Sequence, residues 1–324
     1  MGSLSRTLRV GVIGAGKHGS RYARHIVNDV EGLELTALSR RSLTGQELAD
    51  ELGCQWYPVW QDLIVSPKVD CLIMALPPTL NRQVALACAE AGKPLLLEKP
   101  MAVTVEDATV IVQSFAEKKL GLTIGQTLRY NRVINALKAQ LNVIGQLRSL
   151  SANQRLEPAP PGWLDQAEHA GAGVSFHSAV HIFDALQYIT GQKIIRVMAR
   201  TRCVLSQSME DHLVALVELE DGTLGVVDSS KIGPARSGRF EFIGEKGQLH
   251  GDQVHHQMDL IQGSQAQPFD CGEPVSTIIP LLQDWYRFLC GEGENPIAPE
   301  AGEAAVRVCA ACLQSSVTGQ WQQV

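Results

Sequence analysis

The chain has 324 residues, 45% hydrophobic and 19% charged, with a formal net charge of -6. That length is long for one hydrophobic core and points to two domains. The acidic balance, with no Lys/Arg cluster beyond Arg40-Arg41, argues against a nucleic-acid partner, and no apolar run approaches a membrane span.

Met1-Gly2-Ser3-Leu4-Ser5-Arg6 lacks an apolar signal core, so secretion is not expected. The eight cysteines sit mostly inside apolar patterns (Cys54, Cys71, Cys88, Cys290), as buried free thiols do. Cys309 and Cys312 form a C-x-x-C inside an Ala-rich helical run, where core packing is favoured over redox chemistry. The expected compartment is a reducing cytoplasm.

Leu8–Ile13 reads as a strand that runs into Gly14-Ala15-Gly16-Lys17-His18-Gly19, and a helix is expected from Ser20 to about Val30. Glycines at this spacing permit a tight turn and close approach of backbone to a pyrophosphate, which the helix N-terminus then favours. Gly14, Gly16, Lys17, His18 and Gly19 are therefore candidate dinucleotide contacts. A second strand, Leu33–Leu38, ends in Ser39-Arg40-Arg41, about 20 residues past the glycines. A carboxylate there would grip a ribose 2′-hydroxyl and repel an added phosphate. Here a hydroxyl and two guanidinium groups stand instead, so the residues favour NADP(H) over NAD(H).

A helix is expected over Thr44–Leu52 and a buried strand over Asp70–Leu76, stopped by Pro77-Pro78. Asn81–Ala91 reads as a helix closed by Gly92. The next strand, Pro94–Leu97, carries Glu98-Lys99-Pro100 at its carboxyl end. Ligands of open α/β sheets bind outside those ends. Leu76, Pro77, Asn81, Glu98 and Lys99 therefore join the candidate cofactor residues, with Gln126 after the short strand Leu120–Ile124. A helix over Val105–Lys119 completes a βα alternation, which means a doubly wound parallel sheet over residues 1–125.

Residues 126–324 read as a second, α+β domain with a mostly antiparallel open sheet. A helix over Val133–Asn142 precedes a strand over Gln146–Gln154 and the proline-rich loop Pro158–Trp163. Leu213–Leu219 and Thr223–Val227, separated by Glu220-Asp221-Gly222, read as a hairpin. Between loop and sheet, Val174–Thr190 reads as a helix apolar nearly all round, hence buried. His177, His181 and Asp184 form its one polar stripe at i, i+4 and i+7. Such a stripe fits a site, structurally satisfied histidines, or a metal centre. The lack of an H-E-x-x-H glutamate argues against the metal.

Taken together these residues resemble the Gfo/Idh/MocA family, the glucose–fructose oxidoreductase and inositol dehydrogenase superfamily. The likeness runs over essentially the whole chain. It rests on the glycine loop, Pro77, Ala91-Gly92-Lys93 leading into Glu98-Lys99-Pro100, Arg129-Tyr130, the Gly171-to-Gly191 segment and Pro299-Glu300-Ala301-Gly302. The resemblance implies a Rossmann domain and NAD(P)-dependent oxidation or reduction of a sugar, cyclitol or similar small polyol. It also implies a homodimer or homotetramer built through the second domain's sheet, with no nucleic-acid or membrane partner.

The family's lysine maps to Lys99 and its catalytic histidine to His181. Its aspartate four residues before that histidine is His177 here, its triple-glycine turn is Gly171-Ala172-Gly173, and Asn81 and Tyr22 stand where histidines are frequent. Lys99, His181 and His177 are thus the expected catalytic residues, and Arg129, Tyr130, Trp163 and Asp184 the expected substrate-side residues. The missing aspartate leaves open an alternative, a catalytically silent NAD(P)-binding regulator or scaffold of the same fold.

Overall fold

A computed structural model describes residues 6–158, 162 and 166–324. The expected substrate residue Trp163 lies outside them. The chain forms two compact units.

The first unit comprises the chain through Ala102, Glu106–Gln126 and Ser276–Glu303. Its sheet has six parallel strands in the order β3-β2-β1-β4-β5-β6. These are β1 (Leu8–Ile13), β2 (Leu33–Ser39), β3 (Gln55–Tyr57), β4 (Cys71–Met74), β5 (Leu95–Glu98) and β6 (Leu122–Gly125). The direction of winding reverses between β1 and β4, which is where such sheets bind their ligand. β4 and β5 are buried throughout, as strands covered on both faces must be. Helices α1 (Gly19–Asn28), α2 (Thr44–Leu52), α3 (Trp60–Ile64), α4 (Asn81–Glu90) and α5 (Val105–Glu117) connect them.

Residues 276–303, which the sequence reading placed in the second domain, complete this first unit. The sheet ends at β6, whose outer edge would otherwise present unpaired backbone groups. The returning chain covers it. Ile124 N–H donates to the Ile297 carbonyl at 3.1 Å, Asn295 Nδ2 donates to the Leu122 carbonyl at 2.7 Å, and Thr123 Oγ1 donates to Asn295 Oδ1 at 2.8 Å. Helix α9 (Ile278–Leu289) buries Trp285 fully and lays Tyr286 over Gly32. At Gly32 a Cβ would stand 2.4 Å from the tyrosine ring.

The second unit comprises Val103–Val105, Thr127–Val275 and Ala304–Val324. Its nine-stranded sheet runs β14-β13-β12-β11-β7-β10-β9-β8-β15. The strands are β7 (Leu147–Arg155), β8 (Ile194–Arg202), β9 (His212–Leu219), β10 (Leu224–Ser230), β11 (Arg239–Gly244), β12 (Gln248–Asp252), β13 (Gln257–Gln262), β14 (Gln265–Pro268) and β15 (Gln322–Gln323). Only β7 and β10 pair in parallel. The expected hairpin is β9–β10, turning at Gly222 in the left-handed region. Helices α6 (Arg132–Gln140), α7 (Ala167–Ala170) and α8 (Val180–Thr190) belong to this unit, as does the part of α10 (Pro299–Thr318) from Ala304 onward.

Cys309 and Cys312 lie buried in α10 and burial pushes both thiols upward, so they stay protonated packing residues. Cys71 and Cys88 are buried as expected, whereas Cys54 and Cys290 are half-buried. Among the described residues no helix is long and apolar enough to cross a membrane.

Because Trp285 fills the interior of the first unit from 160 residues beyond β6, Trp285→Ala removes core packing that no neighbouring strand can replace. The expected cost is ~3–5 kcal/mol in urea unfolding. A loss under about 1 kcal/mol would show that the returning segment is not part of that core.

Candidate active site

The glycine loop is fixed by backbone bonds. Gly14 and Ala15 N–H both donate to the Ser39 carbonyl at 3.0 Å, joining the ends of β1 and β2. Gly14 has φ +83°, and a Cβ there would meet the Ala75 carbonyl at 2.5 Å. At Gly19 a Cβ would lie 2.3 Å from the Gly14 carbonyl. Gly16 differs: its Cβ would meet nothing nearer than 4.0 Å. Two glycines therefore serve the turn and its packing against α1, and the third leaves open space over the loop, as a pyrophosphate needs. Leu76 lies over Gly14 from the end of β4. Lys17 is exposed.

Ser39 closes β2 and is buried at 4% exposure. Arg40 is half-buried, with Nη1 donating to the Ala15 carbonyl at 3.4 Å, while Trp56 Nε1 donates to the Arg40 carbonyl at 2.9 Å. One guanidinium is thus tethered beside the glycine loop. Arg41 is exposed.

Glu98 belongs to β5 rather than following it, and it is 6% exposed. Its Oε1 accepts from the Tyr22 hydroxyl at 2.5 Å and stands 3.0 Å from His18 Nε2; its Oε2 accepts from Lys99 N–H at 3.1 Å. The strand partner of Glu98 is Gly125, where a Cβ would lie 2.8 Å from Oε1. Lys99 is half-buried, and the Lys99–Pro100 peptide is cis. Burial holds its ammonium pKa below the ordinary value, and the charge of Glu98 opposes that shift.

Asn81 is 2% exposed and donates from Nδ2 to the carbonyls of Pro100 (3.0 Å) and Met101 (3.4 Å). It therefore holds the segment after Lys99. Its Oδ1 and the Oε1 of Gln126 are buried acceptors without a donor among the described residues. Buried polar groups are satisfied in folded proteins. A carboxamide donor such as nicotinamide carries would meet that need, so the loop and these acceptors fit a nicotinamide dinucleotide.

In the second unit the expected single helix over Val174–Thr190 begins instead with a π-turn, Ser175–Ala179, followed by α8. π-turns recur at functional sites, where they re-aim side chains. Glu210 fixes its start. The Glu210 Oε1 accepts from Gly173 and Ser175 N–H at 3.0 and 3.2 Å, and a Cβ at Gly173 would collide with the Glu210 carbonyl. His177 and His181 are half-buried, not fully buried as expected. His177 Nε2 lies 3.2 Å from the Ala170 carbonyl. A cavity of about 450 Å³ opens beside His177, lined also by Gly173, Ser206, Glu210, Asp211 and Lys231. Among the described residues no group of three His, Cys, Asp or Glu side chains could hold a metal ion.

Asp184, expected on the substrate side, is 1% exposed, and both its oxygens accept from Arg129, at 2.7 and 2.9 Å. Arg129 also stacks over Tyr188 at 5.0 Å. Burial raises the Asp184 carboxyl, and Arg129 opposes the rise. Both oxygens of this aspartate are thus engaged by Arg129. Tyr130 is half-buried at the end of the same short turn. The carboxylate–guanidinium pair spans 55 residues of sequence, so no local pattern announces it. Tyr22 does have a local mark, since it follows His18 by one helical turn and so faces the same way.

The Gfo/Idh/MocA family model, described as an oxidoreductase family with an NAD-binding Rossmann fold, matches residues 8–126, and its C-terminal domain model matches residues 134–250. The chain belongs to this family. It is 27% identical to a myo-inositol 2-dehydrogenase of Thermotoga maritima over 76% of each chain. It is 28% identical to inositol 2-dehydrogenase 2 of Saccharopolyspora erythraea, over 97% of this chain and 94% of that one. A solved levoglucosan dehydrogenase in complex with NADH and levoglucosan superposes with a TM-score of 0.90 at 19% identity, covering 98% of this chain and 99% of that one.

Removing the carboxylate by Asp184→Asn leaves Arg129 charged and largely buried. The expected loss is about 3 kcal/mol of unfolding free energy, toward the lower end for broken buried pairs because the arginine side chain is 18% exposed. Denaturant melts of the variant check it; a wild-type midpoint would show that the pair contributes nothing.

Proposed function

We propose that the protein is an NADP(H)-preferring oxidoreductase that moves a hydride between nicotinamide and a secondary hydroxyl or carbonyl carbon of a sugar, cyclitol or related small polyol. The observation that carries this reading is Lys99, set at the carboxyl end of β5 against buried Glu98, which touches the glycine loop through His18. The names of the relatives, inositol and levoglucosan dehydrogenases, supply the substrate class. The hydroxyl, carboxylate and amine groups lining the cavity beside His177 suit a polyhydroxylated ligand.

The nicotinamide, when bound, accepts or supplies the hydride. In the oxidative direction His181 takes the proton of the substrate hydroxyl, and in the reductive direction it returns it. Lys99 donates to the substrate oxygen and steadies the negative charge that develops there. Arg129, oriented by Asp184, and Tyr130 serve the substrate. His177 replaces the carboxylate expected four residues before His181, so it can hydrogen-bond a substrate hydroxyl but adds no negative charge.

The NADP(H) preference rests on residues 39–41 of this chain. A relative in Bacillus subtilis is named for NAD(+). Here, by contrast, Ser39 ends β2 with no carboxylate beside it, Arg40 is tethered at the loop, and Arg41 is exposed. NADPH should bind at least ~10-fold more tightly than NADH by fluorescence titration, and Arg40→Ala with Arg41→Ala should remove most of that difference, on the order of 1.5–3 kcal/mol. Equal or tighter NADH binding overturns the preference. On a panel of sugars, inositols and aldehydes, Lys99→Met should lower kcat by ~10²–10³-fold while cofactor binding persists. Tight NADPH binding with no turnover and no effect of Lys99→Met would instead mark a cofactor-binding regulator.

The second unit's sheet also supports self-association. Met198, Leu216 and Val226 face one another across β8, β9 and β10, each 38–45% exposed, with Val214 and Leu224 on the same apolar face. Contiguous exposed apolar faces mark interfaces. The occupant we infer is a second copy, giving a homodimer or homotetramer. Leu216→Glu with Val226→Glu should yield a monomer in light scattering; an unchanged mass would place the interface elsewhere.

A further inference from the structure

We propose that Asp211 is a positioning residue of the cavity beside His177, folding residues 204–209 into the part of its wall against which the substrate binds. This rests on the reading of that cavity as the substrate site.

Apolar burial does not fix the start of this loop. It lies between β8 and β9 without helix or strand, and Val204 and Leu205 are 44% and 57% exposed. Three consecutive N–H groups converge instead on one carboxylate. Val204 N–H donates to Asp211 Oδ1 at 2.7 Å, and Leu205 and Ser206 N–H donate to Oδ2 at 2.7 and 2.8 Å. Ser206 Oγ in turn accepts from the N–H groups of Ser208 and Met209, at 3.4 and 3.3 Å. Asp211 is itself buried and fixed by its backbone: its N–H donates to the Arg202 carbonyl at 3.0 Å, and its carbonyl accepts from Lys231 N–H at 2.8 Å. Burial works to raise its carboxyl, but the backbone donors outweigh burial and hold it below the usual carboxylate range. The acceptor therefore stays ionised.

The preceding residue fastens another part of the same wall. Glu210 accepts from Gly173 and Ser175 N–H through Oε1, and its carbonyl accepts from Val174 N–H at 2.8 Å, so the π-turn bearing His177 starts from it. Two consecutive carboxylates thus join the loop to the segment that carries His177. Residues 205–209 line the cavity from the loop, and Gly173, Val174 and His177 line it from the turn. Hydrogen bonds to an ionised acceptor are the stronger kind, and the three at Asp211 are lost together when the carboxylate is removed. Lys99 and His181, the groups assigned to the chemistry, are not part of this loop. Its release therefore weakens substrate binding rather than the chemical step, and the loss falls on KM more than on kcat.

The test compares wild type, Asp211→Ala and Asp211→Asn as full chains, by amide hydrogen exchange read on peptides and by steady-state kinetics. The kinetic probe is NADP+ with whichever of myo-inositol and levoglucosan wild type oxidises faster. In Asp211→Ala the peptide over residues 203–209 should exchange at least ~10-fold faster while peptides of β9 and β10 keep their rates, and KM for the polyol should rise ~10-fold with kcat within about 3-fold. Asp211→Asn keeps one acceptor oxygen and should fall between the two. Unchanged exchange of residues 203–209 in folded Asp211→Ala overturns the proposal, and so does faster exchange with an unchanged KM. Should Asp211→Ala fail to fold, Asp211→Asn decides, and wild-type exchange and KM in that variant overturn the proposal. Failure of wild type to oxidise either polyol sinks the substrate reading of the cavity and the loop's part in it, whereas exchange decides separately whether Asp211 holds the loop.

Discussion

Burying one carboxylate imposes most of the constraints in the first unit. Glu98 sits inside β5, one strand in from the β6 edge, at 6% exposure, where an unsatisfied charge would cost several kcal/mol. Its satisfaction fixes a tyrosine on α1, a histidine in the glycine loop and a glycine on the neighbouring strand. Loop, helix and two strands are thereby held to one geometry at the edge where the dinucleotide is expected. The lysine that follows inherits its position from this arrangement, because its own N–H is one of the carboxylate's donors.

The same unit depends on a segment 150 residues away in sequence. A parallel sheet needs its edges covered, and the β6 edge is covered by Asn295 and Ile297 through backbone and side-chain hydrogen bonds. The same returning segment buries Trp285 and lays Tyr286 over Gly32, before β2. The dinucleotide-binding unit is therefore discontinuous in sequence, and its stability is linked to residues that come after the second unit's sheet.

What was legible in the sequence follows from the range of each interaction. Periodicity and glycine spacing are local, so β1, β2, β4, β5, β6, the glycine turn and the β9–β10 hairpin could be read directly. The three-residue β3 and five-residue α3 carry too little pattern to read. The π-turn at Ser175–Ala179 depends on Glu210, which lies 35 residues away from Ser175, and apolar residues on all sides of a helix hide a change of pitch. The second-unit assignment of residues 276–303 followed from chain order, and only contacts with Gly32, Leu122 and Ile124 overturn it. The position of Asp184 on the polar stripe is local and legible, whereas its partner Arg129 sits in a different element and is not.

Asp184 and Glu98 show two solutions to the same problem, and the difference bears on function. Asp184 is neutralised within its own pair by a bidentate guanidinium, so it projects little net field and works through geometry, aiming Arg129. Glu98 is satisfied by a phenol, an imidazole nitrogen and a backbone amide, two of which carry no charge. Hydrogen bonds of that kind stabilise a carboxylate without cancelling its field. Lys99 follows it directly in sequence, and burial lowers the ammonium from its ordinary value while the charge of Glu98 opposes that shift. Replacing the expected aspartate by His177 removes one source of negative charge from the chain's polar stripe. The carboxylate adjoining the lysine in sequence belongs to β5 and is in place whatever stands at position 177.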